Sequence, residues 1–169
     1  MKIIEALKKI KDLKKKAEDL RDKVSKHSAY MSFETPVYQD QKKQVAEWIQ
    51  SHSDILKEIL SLRISIQRTN LLTGVTIEIN NNQITKSIAE WIHRRRDLAI
   101  EECLMWKKLT DRGLKEGVMI DSLGKQIDNK IIRCYDPKDR DNHVSLFDSE
   151  PSLIDGKLEI VNAVTDLIE

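Results

Sequence analysis

An apolar seam through the middle of the chain limits its fold more than any other feature. Val45, Trp48, His52, Ile55, Ile59, Leu62, Ile66, Thr69 and Thr73 follow one another in alternating steps of three and four residues. Held for about four heptads, that spacing puts the side chains on one face of a long helix and requires a second surface to cover them. Gly74 ends the run, and Thr35-Pro36 offers a capping hydroxyl followed by a proline suited to a first helical position. The spacing predicts a helix over about 36–73.

Three further helices are predicted by the same reasoning. Ile3, Leu7, Ile10, Leu13, Ala17, Leu20 and Val24 form a stripe in a lysine-rich background, predicting a helix over 2–27. Ser87-Ile88-Ala89-Glu90 matches a capping box, and Ile88, Ile92, Ala99, Trp106 and Leu109 carry a helix over 87–112 to Gly113. Ser149-Glu150-Pro151 opens a last helix over 150–168, with Ile154, Leu158, Val161, Thr165 and Ile168 on one stripe. Val75 to Ile79 alternates with period two and runs into Asn80-Asn81-Asn82, predicting a strand and turn within 75–84. Lys130 to Tyr135 resembles a second β segment.

The fold class expected is mainly α: an antiparallel four-helix bundle or coiled-coil helical hairpins, with one or two short β-hairpin excursions. At 169 residues a single domain over 1–169 is the expected size. The first two helices are long for a monomer of this length, which favours a homo-oligomer.

Charge narrows the partners. The 29 basic and 28 acidic residues nearly cancel, so no global basic field exists for general nucleic-acid binding. Residues 1–27 hold ten Lys/Arg against five Asp/Glu, and residues 137–169 three against eight. That asymmetry suits packing of the first helix on the last, or two independent solvated faces. Cys103 and Cys134 form no CxxC spacing and read as reduced thiols of a cytoplasmic protein. No apolar signal core or membrane-spanning run is present in the sequence.

Polar residues placed on apolar stripes are the candidate site. Arg95 and Glu102 lie seven residues apart with Trp91, Leu98 and Met105; buried charges need partners, so they either serve an internal ion pair or face a ligand. Arg94, Arg95 and Arg96 fan around one turn, and guanidiniums suit phosphate and carboxylate, with Trp91 and Trp106 available for stacking. Asn70-Leu71-Leu72-Thr73 near the end of the second helix is echoed by Asn162-Ala163-Val164-Thr165 near the end of the last. Each unit presents an amide and a hydroxyl on one face, as a register-setting polar layer or as a pocket edge.

Other chemistry lacks its pattern. Glu90-Trp91-Ile92-His93 is a single Glu-x-x-His where a di-iron bundle needs two. Asp136, Asp139, Asp141 and Asp148 lack the spacing of a calcium loop. The four histidines share no ligand spacing, and His52 on the seam reads as a satisfied core histidine. No metal or cofactor is expected. Walker, GxGxxG and GxSxG motifs are absent from the sequence, so a non-catalytic role is expected, with a dispersed hydrolase site as the remaining enzymatic reading.

Glu5-Ala6-Leu7, Arg68-Thr69-Asn70-Leu71-Leu72-Thr73, Ile84-Thr85, Arg94-Arg95-Arg96-Asp97-Leu98 and Lys157 to Leu167 occur in an order and spacing that resembles the DIP1984 family, labelled septicolysin. The resemblance spans almost the whole chain and implies a mainly helical, coiled-coil-like protein without a firmly established role. The stretch from Gly113 to Ser149 is longer than the family pattern. The lytic label finds no strongly apolar helix here.

The function expected is an oligomeric, non-catalytic helical protein that binds a small anionic ligand. A nucleotide-type signal is the favoured class, sequestered by Arg68, Asn70, Thr73, Trp91, Arg94, Arg95, Arg96, Asn162 and Thr165, as a phage sponge against nucleotide-based immunity would do. The alternative is a self-assembling coiled-coil or protein-interaction module without a small-molecule ligand.

Overall fold

The computed structural model describes residues 1–168 and is mainly helical with two small antiparallel hairpins, in the class expected. Its elements run α1 (Ile3–His27), α2 (Gln41–Leu72), β1 (Gly74–Ile79), β2 (Asn82–Ser87), α3 (Ile88–His93), a π-helical turn (Arg94–Leu98), α4 (Ala99–Lys107), β3 (Gly117–Ile120), β4 (Gln126–Asn129) and α5 (Pro137–Val164). They divide into two compact units. The first comprises Met1–Val75, Ser87–Ala89 and the segment from Leu158; the second comprises Thr76–Lys86 and Glu90–Lys157.

In the first unit α1 and α2 form a helical hairpin. Ala6, Ile10 and Leu13 pack with Ile59 and Ile66, flanked by Ile55, Leu62 and Leu167. This is the predicted seam meeting the predicted stripe. Lys9 reaches Glu58 at 2.6 Å across the pair. At the other end the rings of His27, Tyr38 and Trp48 cluster with centroids 5.3 to 5.6 Å apart.

The second helix starts at Gln41, not at residue 36. Asp40 caps it, accepting from Lys43 N–H at 2.9 Å. The buried Gln41 amide accepts from Val37 N–H and donates to the His27 carbonyl, which fixes the preceding loop. A capping carboxylate adjacent to the helix outcompetes the Thr35-Pro36 signal upstream. The basic α1 packs on α2, and its tie to the acidic C-terminal segment is local. Lys2 Nζ meets Asp166 at 2.6 Å, Ile3 N–H donates to the Thr165 carbonyl, and Leu167 N–H to that of Met1. Lys2 and Asp166 form an antiparallel bridge, so Thr165 and Ile168 are not helical as expected.

In β1 the alternation buries Val75, Ile77 and Ile79. Asn80 and Asn81 take φ of 52° and 62°, the left-handed pair that a two-residue hairpin turn needs. The second hairpin lies at 117–129 instead of 130–135, with Gly117 opposite Asn129 and Ile120 opposite Gln126. Asp121 closes its loop by accepting from Leu123 and Lys125 N–H, and Gly124 supplies a φ of 79°. The helix predicted over 87–112 ends at Lys107, and Arg112 and Gly113 both take positive φ.

The last helix begins at Pro137, a full thirteen residues before the expected start. Asp136 caps it, accepting from Lys138 N–H at 2.8 Å. Pro151 lies inside the helix. The inward positions run Val144, Phe147, Glu150, Ile154, Leu158, Val161, all buried or half-buried. A glutamate in the middle of that period conceals it from a reading of apolar spacing.

Candidate functional site

The arginine triplet occupies the π-helical turn, where each turn holds an extra residue. The widening changes which residues share a face. In a continuous α-helix Arg95 and Glu102, seven apart, would align; here Arg94 and Glu102, eight apart, do so and are ion-paired. Arg94 Nε and Nη2 also donate to Glu150 Oε1 and Oε2 at 2.6 and 2.9 Å, a bidentate fork. The Glu150 side chain is only 4% exposed and that of Arg94 18%, and the guanidinium carbon lies 5.4 Å from the Phe147 ring centroid. Two carboxylates push the Arg94 pKa further up, and the hydrogen bonds that Arg94 donates to Glu150 are the larger cause. Glu102 is held below the ordinary glutamate value by Arg94.

The other arginines are differently engaged. Arg95 pairs with Asp155 and not with Glu102. Arg96 is exposed, with Asp97 at 3.4 Å and His93 Nδ1 at 3.1 Å. Trp91 is buried, and Lys86 Nζ sits 6.0 Å from the centroid of its ring.

Beside Arg94 the second unit has a cavity of about 290 Å³ whose lining includes Asn80, Asn82, Lys86, Trp91, Phe147 and Glu150. A neighbouring cavity of about 400 Å³ shares Asn80 and Leu146 and adds Asn142, His143, Ser145 and Ser149. His143 is stacked on Trp106 at 3.9 Å and 6°. Adjacent through Asn80 and Leu146, the two cavities offer cations, amides, hydroxyls and aromatic faces. Lys86, Asn80, Asn82, Phe147 and Glu150 were not sequence candidates. Asn80 and Asn82 carry a turn signal that masks any other role, and Glu150 stands at a helix-opening signal.

The remaining candidates belong to the first unit. Arg68 lines a groove of about 640 Å³ with Leu60, Ile64 and Leu167. Asn70 Oδ1 is buried without a hydrogen-bond partner. Thr73 ends α2: its N–H donates to Thr69 carbonyl and its own carbonyl accepts from Ile88 N–H. Asn162 is half-buried in the last turn of α5, and Thr165 accepts through its carbonyl from Ile3 N–H. The C-terminal segment is tied to α2 by Thr69, fully buried, whose Oγ1 accepts from Ile168 N–H at 2.8 Å and donates to the Ser65 carbonyl. His52, expected to be satisfied, has a buried Nε2 with no partner.

Among the described residues no group of three or more His, Cys, Asp or Glu side chains converges as a metal site. The acidic run is individually engaged: Asp136 caps α5, Asp139 faces His143, Asp141 Arg140 and Asp148 Lys107. Cys103 is buried, its thiol 3.7 Å from the Val144 carbonyl, and Cys134 is exposed. No helix of the described residues is long and apolar enough to cross a membrane.

No family profile matches the chain, and no curated protein matches it. A solved structure does. A functionally unknown conserved protein from Corynebacterium diphtheriae superposes with a TM-score of 0.56 at 16% identity, over 99% of this chain and 99% of that one. At that identity the likeness shows a shared fold.

Proposed function

We propose that the second unit captures a small ligand of nucleotide chemistry and releases it unaltered, a sequestering role. The observation that carries this reading is the groove beside Arg94. At about 290 Å³ this cavity is just below the usual span of ligand pockets, about 300–1,000 Å³, so it suits a base with its ribose. The adjoining 400 Å³ accommodates a further phosphate or nucleoside. Asn80 and Asn82 supply amides for base edges, His143 an aromatic face, and Lys86 a cation. A guanidinium has more N–H donors than the three Arg94 gives to carboxylates, so a rigidly held Arg94 still has donors for a phosphate. Arg96, the most exposed of the triplet, is the natural outer contact. The resemblance to the DIP1984 family, resting on motif order, belongs to the same proposal.

Thermal-shift and calorimetric titration with cyclic and linear nucleotides tests it. A ligand at a hundred times its Kd stabilises by about 2.7 kcal/mol. The expected outcome is stabilisation that Lys86→Ala and Asn82→Ala abolish without lowering the ligand-free Tm, with the nucleotide recovered intact by chromatography. Absence of any shift across the nucleotide set sinks the reading, and accumulating product would make the chain an enzyme.

A second reading, a self-assembling helical module, is favoured by a separate observation: α2 carries an apolar stripe that none of the described residues covers. Light scattering across concentrations tests it, and a monomer throughout would remove it.

A further inference from the structure

The uncovered stripe of α2 comprises Ile49, Leu56, Leu60, Ile64 and Leu71, each between 47% and 67% exposed. At about 100° per residue these five fall in a sector of about 80°, roughly 115° from the face that Trp48, Ile59 and Ile66 bury in the first unit. They are a second face, distinct from the seam used against α1. Their spacing is symmetric about Leu60, with steps of four and then seven residues in either direction. A helix with such a stripe is complementary to its own reversed copy.

We infer that this face of α2 is an antiparallel, two-fold interface with a second copy of the chain. A two-fold axis beside Leu60 sets Leu60 against the partner's Leu60, Leu56 against the partner's Ile64, and Ile49 against the partner's Leu71. The stripe is about 33 Å long, enough for three layers of contact on each side of the axis counting Leu60 in both.

Charge selects the direction. Glu47 to Glu58 holds Glu47, Asp54 and Glu58 against Lys57, whereas Leu60 to Leu72 holds Arg63 and Arg68 and no acid. Asp54 and Arg68 lie on the same flank of the stripe, about 40° apart around the helix. Antiparallel pairing brings Asp54 alongside the partner's Arg68 on both sides of the axis. In a parallel pair each flank meets the opposite flank of the partner, so Asp54 and Arg68, which share one flank, would lie on opposite sides of the interface and could not pair across it. The groove of about 640 Å³ next to Leu60, Ile64 and Arg68 provides room for the partner's apolar side chains. Two α1–α2 hairpins joined this way make a four-helix arrangement between copies, distinct from the bundle of the chain's own four helices expected from the sequence.

The inference makes the self-assembly reading specific and is independent of the ligand reading. Sedimentation equilibrium of the full chain, with circular dichroism as the check on folding, tests it. A dimer is expected, and Leu60→Glu, which sets two carboxylates face to face at the axis, is expected to weaken it at least ~100-fold while helix content is unchanged. Asp54→Arg and Arg68→Asp are each expected to weaken the dimer, and the double variant to restore it. A wild-type monomer overturns the inference together with self-assembly. A dimer that survives Leu60→Glu overturns this interface and leaves self-assembly standing. Weakening by the single charge variants without rescue in the double variant overturns the antiparallel direction.

Discussion

Arg94 and Glu150 form the most buried ion pair described in the second unit, and the consequences of breaking it differ from those at neighbouring arginines. Removing one partner of a buried pair leaves an uncompensated charge and typically costs about 3–5 kcal/mol. Glu150→Ala should therefore lower stability by about that amount in chemical denaturation, and Glu150→Gln by less because it still accepts a hydrogen bond. Arg95→Ala should cost below about 1 kcal/mol, since its partner Asp155 is 66% exposed. Equal losses at the two positions would contradict the burial argument.

Glu102 ties the same cluster to pH. Arg94 holds its carboxyl below the ordinary value of 4.5, so the unfolded chain binds the proton more readily than the folded one. The associated stability is present above that value and is lost as the pH falls through it towards the depressed one. Glu102 is about half exposed, so the contribution is small. The Tm of Glu102→Gln should fall less steeply on acidification than that of the wild type. A parallel pair of Tm curves would assign the acid sensitivity elsewhere.

At the scale of elements, the π-helical turn decides which faces of α3 and α4 are presented. Ala99 and Cys103, both buried, follow it directly. Deleting one residue within Arg94–Leu98 would return the run to α-helical spacing and rotate α4 by about 100° relative to α3. Helical circular dichroism should persist, while the Tm falls by several degrees and the Cys103 thiol becomes reactive to a thiol reagent in the native protein. An unreactive Cys103 in the shortened chain would show that the bulge does not set this register. The same widening explains why a period of 3.6 puts Arg95 and Glu102 on one face while the fold brings Arg94 to Glu102: the local period at the π-helical turn is longer. α5 shows the complementary effect. Its capping aspartate and its proline at the first turn were present to be read, but Glu150 interrupts the apolar period, and Pro151 looks like a start instead of an interior residue.

For the whole molecule, the testable quantity is mass action. If two chains associate through α2, the dimer is stabilised by dilution-sensitive binding, and the Tm rises with protein concentration. We expect a rise measurable over a hundredfold range of concentration, which Leu60→Glu removes. A Tm independent of concentration for the wild type would count against any dimer. The ligand reading makes a separate demand at this scale, since stabilisation by a nucleotide should survive in the Leu60→Glu variant if the groove beside Arg94 is complete within one chain.

Local physical chemistry alone determined much of this fold. The seam from Val45 to Thr69 and the stripe from Ile3 to Ala17 identify the helical hairpin, because a period of three and four has no other compact solution. The Asn80-Asn81 turn was also determined locally, since few residues accept two consecutive left-handed conformations. The tertiary structure decided the rest. Which carboxylate Arg94 meets depends on Glu150, 56 residues away, and no short-range pattern encodes that pairing. Thr69, read as a seam residue, became the acceptor that fixes Ile168, 99 residues distant. The two Asn-x-x-Thr units look alike in sequence, yet Thr73 and Thr165 act through their backbones. A charged residue on an apolar stripe announces that a partner exists, but only the packed chain names it, because desolvation and pairing are properties of the assembled surroundings.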